Sequence, residues 1–237
     1  MPISAEQLIV FGCVFMRILF LFVFAPGINS KEFIGFGKVS FTFWVTALIM
    51  FVIPLPTNLP ETGLQLFFVF FQEALIGMIL GFVMQLFILG IEFGGSLADT
   101  QAGLSVANVL DPAFGQNVTL ISRLFKQLAI LLFFILGGHH ILLSGLVKSF
   151  DIIPITRGFN VVATMPYILE VSVQIFSVAL QIASPIILVI FFVDFGFGLL
   201  SKIAPQINVF QLSFQMKPMI TMLILLFITA GMLDLLQ

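Results

Sequence analysis

The chain has 237 residues, 60% of them hydrophobic and 8% charged, with 9 basic and 11 acidic side chains and a net charge of −2. A water-soluble domain carries roughly 25% charged residues because its surface faces water, so a mean hydropathy of +1.23 excludes that class and identifies an integral membrane protein. Without a basic cluster, nucleic-acid binding has no electrostatic support, and Cys13, the single cysteine, leaves no intrachain disulfide or Cys-based metal site. Within its apolar run Cys13 reads as a small buried hydrophobe.

The N-terminal stretch through Gly27 lacks a positive n-region and a small-residue cleavage site, and Arg17 interrupts its apolar run. It reads as a retained first membrane helix. About 20 apolar residues cross a hydrocarbon core of about 30 Å, and six segments approach or exceed that length: 7–28, 39–57, 64–91, 124–147, 167–200 and 219–236. The third and fifth are longer than one crossing needs, so they must tilt, kink or extend beyond the bilayer, with Pro185 and the Gly196/Gly198 pair as expected bend points. Helices are the default in lipid because backbone groups find no water there, and no strand alternation suggests a barrel. The fold class is therefore all-α, a polytopic membrane protein of one domain, residues 1–237.

Connections fall at 25–38, 54–63, 92–123, 148–160 and 201–218. The odd-numbered ones hold or directly adjoin Lys31, Lys38, Arg123, Lys126, Lys202 and Lys217, the even ones Lys148 and Arg157. For six crossings, that imbalance assigns the odd connections to the cytoplasm and both termini to the outside.

The third segment carries a periodic row. Gly77, Gly81 and Gln85 follow at four-residue steps, then Glu92 and Asp99 at seven, with Ser96 and Gly103 on the same stripe. Small residues at such spacing let membrane helices approach closely, and polar groups continuing the face seek partners on a neighbour. Packing within the chain, a seam against another subunit and a substrate or ion site all fit this row. Intramembrane carboxylates are functional candidates by default. Glu73, Glu92, Asp99, Glu170 and Asp194 lie in or beside apolar segments, and Glu73 and Asp194 are the deepest. A proton- or ion-coupled carrier would use one of those two.

His139 and His140 adjoin in "GGHH". Neighbours on a helix point about 100° apart and cannot grip one metal as an i, i+4 pair does, so the pair reads as a polar helix contact. Asp194-Phe195-Gly196 lacks every companion of the kinase motif it spells, and Asn117-Val118-Thr119 is a glycosylation sequon of the kind that arises by chance. No nucleophile motif is present, which points to a non-enzyme without cofactors.

The long connection contains "GLSVANVLDPAFGQN", Gly103 to Asn117, polar and turn-rich in an otherwise apolar chain. "EFGGSLADTQAGLSVANVLDP", followed by "RLFKQLAILLFFILGGHHILLSGLVKSFDIIP", closely resembles the FliR/SctT family of flagellar and virulence export-gate proteins. The matching positions are Gln101, Gly103, Leu104, Ser105 and Asp111-Pro112, then Gly138-His139, Ser149-Phe150 and Pro154. Ala204 to Phe210, "APQINVF" with Pro205 and Gln206, matches a late family element. The resemblance covers essentially the whole chain in the family's order; family members usually continue past the position of Gln237, which implies a shortened last helix or tail.

The resemblance implies a non-catalytic subunit of the flagellar type III protein export gate, passing unfolded substrates across the bacterial inner membrane at the basal body. It implies several copies of FliP and FliQ, together with FlhB, as partners. It also implies kinked hairpins in a helical stack of homologous subunits, lying largely on the periplasmic side. The family's plug-like loop falls on residues 104–116, with Leu104, Val109, Leu110 and Phe114 as apolar sealing groups, and Asp111, Pro112 and Gly115 as the hinges of a turn. Rival readings are a small proton- or ion-coupled transporter and a membrane scaffold without a conduit.

Overall fold

A computed structural model describes residues 4–26, 35–53, 60, 62–104, 120–157 and 159–235, and of residues 228–235 the backbone alone. Seven helices span them: α1 Ala5–Phe24, α2 Gly35–Ile49, α3 Gly63–Ala102, α4 Leu120–Ile135, α5 Gly138–Ile152, α6 Val161–Ile203 and α7 Val209–Leu235. Four of the helices, α1, α3, α6 and α7, begin at a residue whose side chain accepts from their first free N–H groups. Ser4 and Gln7 form a reciprocal capping box on α1, and Thr62 and Gln65 do the same on α3. Asn160 accepts from the Ala163 N–H at the start of α6, and Asn208 from the Gln211 N–H at the start of α7.

Four helices are long and apolar enough to cross a membrane, or five if the bent pair α4–α5 counts as one span. Two of the six expected segments account for the difference. The second emerges as the 15-residue α2, too short for a crossing; beyond it the chain approaches Pro54 and Pro56, residues that lack an N–H and push their predecessors out of helical backbone. The fourth breaks at Leu136–Gly137, where α4 and α5 meet at 67°. Gly137 has φ +73, open to glycine at little cost, and a Cβ on Gly138 would strike the Phe133 ring. The charge-based assignment of sides presupposed six crossings and does not carry over to four or five.

The third and fifth segments are overlong as expected: α3 has 40 residues and α6 has 43. At 1.5 Å per residue each is about 60 Å long, twice the hydrocarbon thickness. Pro185, Gly196 and Gly198 lie within α6, and helical backbone continues through them.

The chain divides into two compact units: residues 1–88 with 130–173, and residues 89–129 with 174–237. The first unit's core is built from Val10, Val14, Ile18, Leu21 and Phe22 of α1 with Leu142, Leu146 and Phe150 of α5. Cys13 is buried in it. Ring pairs tie α1 to α2, Phe11 to Phe43 at 5.4 Å and Phe22 to Phe41 at 5.1 Å. The second unit's core joins Ala98, Ile121, Phe125, Ile186, Ile190 and Leu225. Outside these cores the surface is strongly apolar, with Phe36 82% and Phe51 89% exposed, as a chain surrounded by lipid or by other apolar subunits requires.

After α5 the chain turns through Pro154–Arg157, closed by the Arg157 N–H donating to the Pro154 carbonyl at 3.1 Å. Its third position, Thr156, has φ +76. Left-handed backbone costs a β-branched residue about 1–2 kcal/mol. Thr156→Asn, which tolerates that conformation, is expected to stabilise the detergent-solubilised protein by about 1 kcal/mol, raising its melting temperature by about 2–4 °C. An unchanged or lowered melting temperature would show that the turn is not strained.

Candidate functional site

Charged side chains inside apolar helices must find partners, because lipid offers none. In the first unit Arg17 of α1 is fully buried and its guanidinium is surrounded. Nε donates to Glu73 of α3 at 2.5 Å, Nη1 to the Ser149 hydroxyl at 3.1 Å and Nη2 to the Ile153 carbonyl at 3.0 Å. The guanidinium also lies over the Phe150 ring, 4.0 Å from its centroid, a cation–π contact. Ser149 donates its own hydrogen to the Leu146 carbonyl at 2.7 Å, so its lone pairs remain to accept from Arg17. Ile153 ends α5 with φ −124 and ψ 83. Pro154 disfavours helical backbone at the preceding residue, which leaves the Ile153 carbonyl to receive Arg17. Glu73 Oε1 is buried without a hydrogen-bond partner among the described atoms.

The glycines one and two turns beyond Glu73 make this pair reachable. A Cβ on Gly77 would fall on the Arg17 carbonyl, and one on Gly81 would lie 2.5 Å from the Leu21 carbonyl. The backbones of α1 and α3 therefore approach along a glycine stripe in register with the ion pair.

In the second unit Asp99 has an equally defined place. It is fully buried, and its carboxylate accepts the Ile121 N–H at 3.2 Å and the Ser122 N–H at 2.9 Å. These are free donors of the first turn of α4, where a negative charge also meets the positive end of the helix dipole. A Cβ on Gly95, one turn earlier, would sit 2.7 Å from the Ser122 Cα, so glycine admits that turn. The backbone carbonyl of Asp99 accepts the Leu104 N–H at 3.0 Å, and the Thr100 carbonyl accepts that of Gly103 at 3.2 Å. With Gly103 at φ +76, this is a Schellman ending of α3. One residue thus holds the chain where it leaves α3 and where it re-enters helix at α4.

Two ion pairs lie nearer the surface of this unit. Glu92 meets Lys126 at 3.0 Å and Asp194 meets Lys217 at 2.6 Å. Both carboxylates singled out as the deepest, Glu73 and Asp194, are therefore engaged by cations of this chain. Among the described residues no three His, Cys, Asp or Glu side chains gather as a metal ion would require.

Of the periodic row, Gly77 and Gly81 face α1, Glu92 and Asp99 face α4, and Gly103 ends α3. Gln85 and Ser96 are half-buried and Gln101 is exposed. Leu104 packs against the second unit's core. Ser105, Val109, Leu110, Asp111, Pro112, Phe114 and Gly115 lie outside the described residues. Gly138 and His139 open α5 just after its break from α4; His139 lines an apolar cleft of about 310 Å³ with Phe22, Phe41, Phe133 and Phe134. Pro205 and Gln206 form the turn between α6 and α7, closed by Ile207 N–H to the Ala204 carbonyl at 3.0 Å.

Sequence reasoning missed the partner of Arg17, although a lone Arg and a lone Glu in separate apolar segments are the signal for one. It also passed over Gly90 and Gly94, whose four-residue spacing admits Ile175, Ala179 and Ile182 of α6 against α3.

The model of the bacterial export proteins, family 1, matches residues 8–237. The flagellar biosynthetic protein FliR of Bacillus subtilis is 29% identical over 219 residues, 91% of this chain and 84% of that protein. FliR of Pectobacterium carotovorum is 32% identical over 200 residues, covering 84% and 76%. The Yop proteins translocation protein T of Yersinia pestis is 28% identical over 225 residues, covering 93% and 85%.

Removing one member of a buried ion pair strands a charge and costs about 3–5 kcal/mol, whereas replacing both by apolar groups is close to neutral. Arg17→Ala and Glu73→Ala are each expected to reduce folded protein in membranes severely, and Arg17→Met with Glu73→Leu to restore most of it. Protease resistance of the membrane-embedded chain measures this; a double variant no better than the single ones would disprove the pairing. Asp99→Ala should cost about 1–2 kcal/mol through the lost helix cap, while Asp99→Asn, which keeps an acceptor, should cost less in the same assay.

Proposed function

Because the chain belongs to family 1 of the bacterial export proteins, we propose that it is a non-catalytic subunit of the flagellar type III export gate. The observation that carries this reading is the family match over residues 8–237, essentially the full chain. Its relatives include both flagellar FliR proteins and a Yop translocation protein; the flagellar role is the one assigned here. The gate contains several copies of FliP and FliQ, with FlhB, in the bacterial inner membrane, and its assembled bulk lies largely on the periplasmic side.

Physical features support an assembly role. Large aromatic groups stand exposed along the helices, a surface that other apolar subunits or lipid would cover. The charged groups that a coupled carrier would keep free for an ion are paired within the chain.

The segment that opens at Leu104 is the plug. Its base is fixed by Asp99 at both ends, while Val109, Leu110 and Phe114 supply apolar groups that exclude water from a closed channel by dewetting. Asp111, Pro112 and Gly115 are residue types that favour a turn.

Deleting the gene is expected to abolish secretion of flagellar axial proteins into the medium, with restoration by the full chain; secretion that persists in the deletion strain would overturn the export reading. Deleting residues 109–115 is expected to raise the ion conductance of membranes containing the assembled complex. Unchanged leak together with normal export would sink the plug assignment.

A further inference from the structure

Within the second unit α7 runs back along α6, and the two helices meet at four-residue steps. α6 presents Ile186, Ile190, Asp194 and Gly198, while α7 presents, in reverse, Leu225, Thr221, Lys217 and Ser213. The first two steps are closed, since Ile186, Ile190 and Leu225 belong to the core and Thr221 is fully buried. The third is an ion pair, Lys217 Nζ to Asp194 Oδ1 at 2.6 Å. At the fourth the helices have parted: a Cβ on Gly198 would meet no atom within 4 Å. None of residues 191–219 is buried and none belongs to the core. They form a helical arm, and Asp194–Lys217 joins its two halves where core packing has ended.

α7 is weakened at the same level. Pro218 lies inside the helix and has no N–H to give the Phe214 carbonyl, so one rung of the backbone ladder is missing. Three residues on, the buried Thr221 donates its hydroxyl to the Lys217 carbonyl at 2.8 Å, a contact that bends helices. The weak point of α7 and its tie to α6 therefore coincide at residues 217–218.

Exposure separates this pair from the one in the first unit. Arg17 and Glu73 are wholly enclosed, whereas Asp194 is 44% exposed and Lys217 21%. The arm beyond the pair carries Lys202, Gln206, Asn208, Gln211 and Gln215, side chains suited to water. Asp194 and Lys217 are therefore able to separate and be hydrated, and a partly exposed pair holds its partners only modestly.

We propose that Asp194–Lys217 is a reversible latch on a hinged arm. Closed, it holds residues 209–217 of α7 beside α6. Open, that segment swings about Pro218 while α7 from Ile220 onward stays packed in the core. The device belongs to the fold of this chain and stands independently of the export reading.

The test measures distances between nitroxide labels by double electron–electron resonance in the full chain, purified in detergent. Leu188→Cys with Gln215→Cys reports the arm against the core, and Leu188→Cys with Leu223→Cys reports the core alone; all three positions are exposed. Background labelling is low because Cys13, the single native cysteine, is buried. With the latch intact, one narrow 188–215 distance is expected to dominate. Asp194→Asn should raise the population at longer distances about fivefold, and high salt should act in the same direction by screening the pair. Asp194→Lys with Lys217→Asp, which exchanges the charges, should restore the narrow distance. Pro218→Ala added to Asp194→Asn should shrink the long population by returning the missing rung, and the 188–223 distance should stay fixed throughout.

An unmoved 188–215 distance in Asp194→Asn would overturn the latch, and so would an exchanged pair that fails to restore it. Both distances moving together would show a loosened core instead of a hinge, and would equally overturn the proposal. A long population that Pro218→Ala leaves unchanged would remove Pro218 as the pivot.

Discussion

Arg17 sits in the middle of an apolar helix, and the first unit is arranged around the need to satisfy it. A cation at that depth costs several kcal/mol unless it is paired and hydrogen-bonded. Its partners come from two distant parts of the sequence, Glu73 of α3 and the Ser149–Ile153 end of α5. Three helices are therefore fixed relative to one side chain. Apolar packing alone sets register weakly among helices that lipid solvates as well as they solvate one another. A buried ion pair sets it strongly, because sliding either helix by one residue leaves a charge without its partner. Gly77 and Gly81 let the backbones approach closely at that register.

The second unit repeats the same device with different chemistry. Asp99 pairs with a helix terminus instead of a side chain, and Gly95, one turn away, again removes the Cβ that would obstruct the approach. In both units α3 contributes an acidic residue and a glycine four positions from it. This explains how so apolar a chain holds defined internal geometry while leaving most of its outward surface for other molecules. The polar groups fix the inside and the aromatic groups remain outside, as a family of export-apparatus membrane proteins requires.

The all-helical character, the overlong α3 and α6 and the stripe from Gly77 to Gly103 were legible in the sequence, because each is a local property of composition or period. The break at Gly137 was not, since the run 124–147 is apolar enough to read as one crossing, and only the crowding of Gly138 against Phe133 reveals why it ends. α2 was overestimated because the expected segment ran on to residue 57 while the helix stops at Ile49. The matches at Ser149-Phe150 and Pro154 were visible as a family pattern, but their purpose was not. It becomes intelligible once Arg17, more than a hundred residues away, is seen resting on them. Pairings over such separations leave no periodic trace in a single sequence.

The double attachment at Asp99 also bears on how this protein can change over evolutionary time. The residue takes the Leu104 N–H and the Ile121 and Ser122 N–H groups together, so the two ends of the intervening stretch are set by the helices and not by the stretch itself. Doubling the length of a flexible loop whose ends are already brought together adds only about 0.6 kcal/mol of closure entropy. A change in the number of residues between those ends therefore costs little in closure entropy. The clasp makes the register of α3 and α4 a property of Asp99, independent of the length of chain between them to within that small entropy.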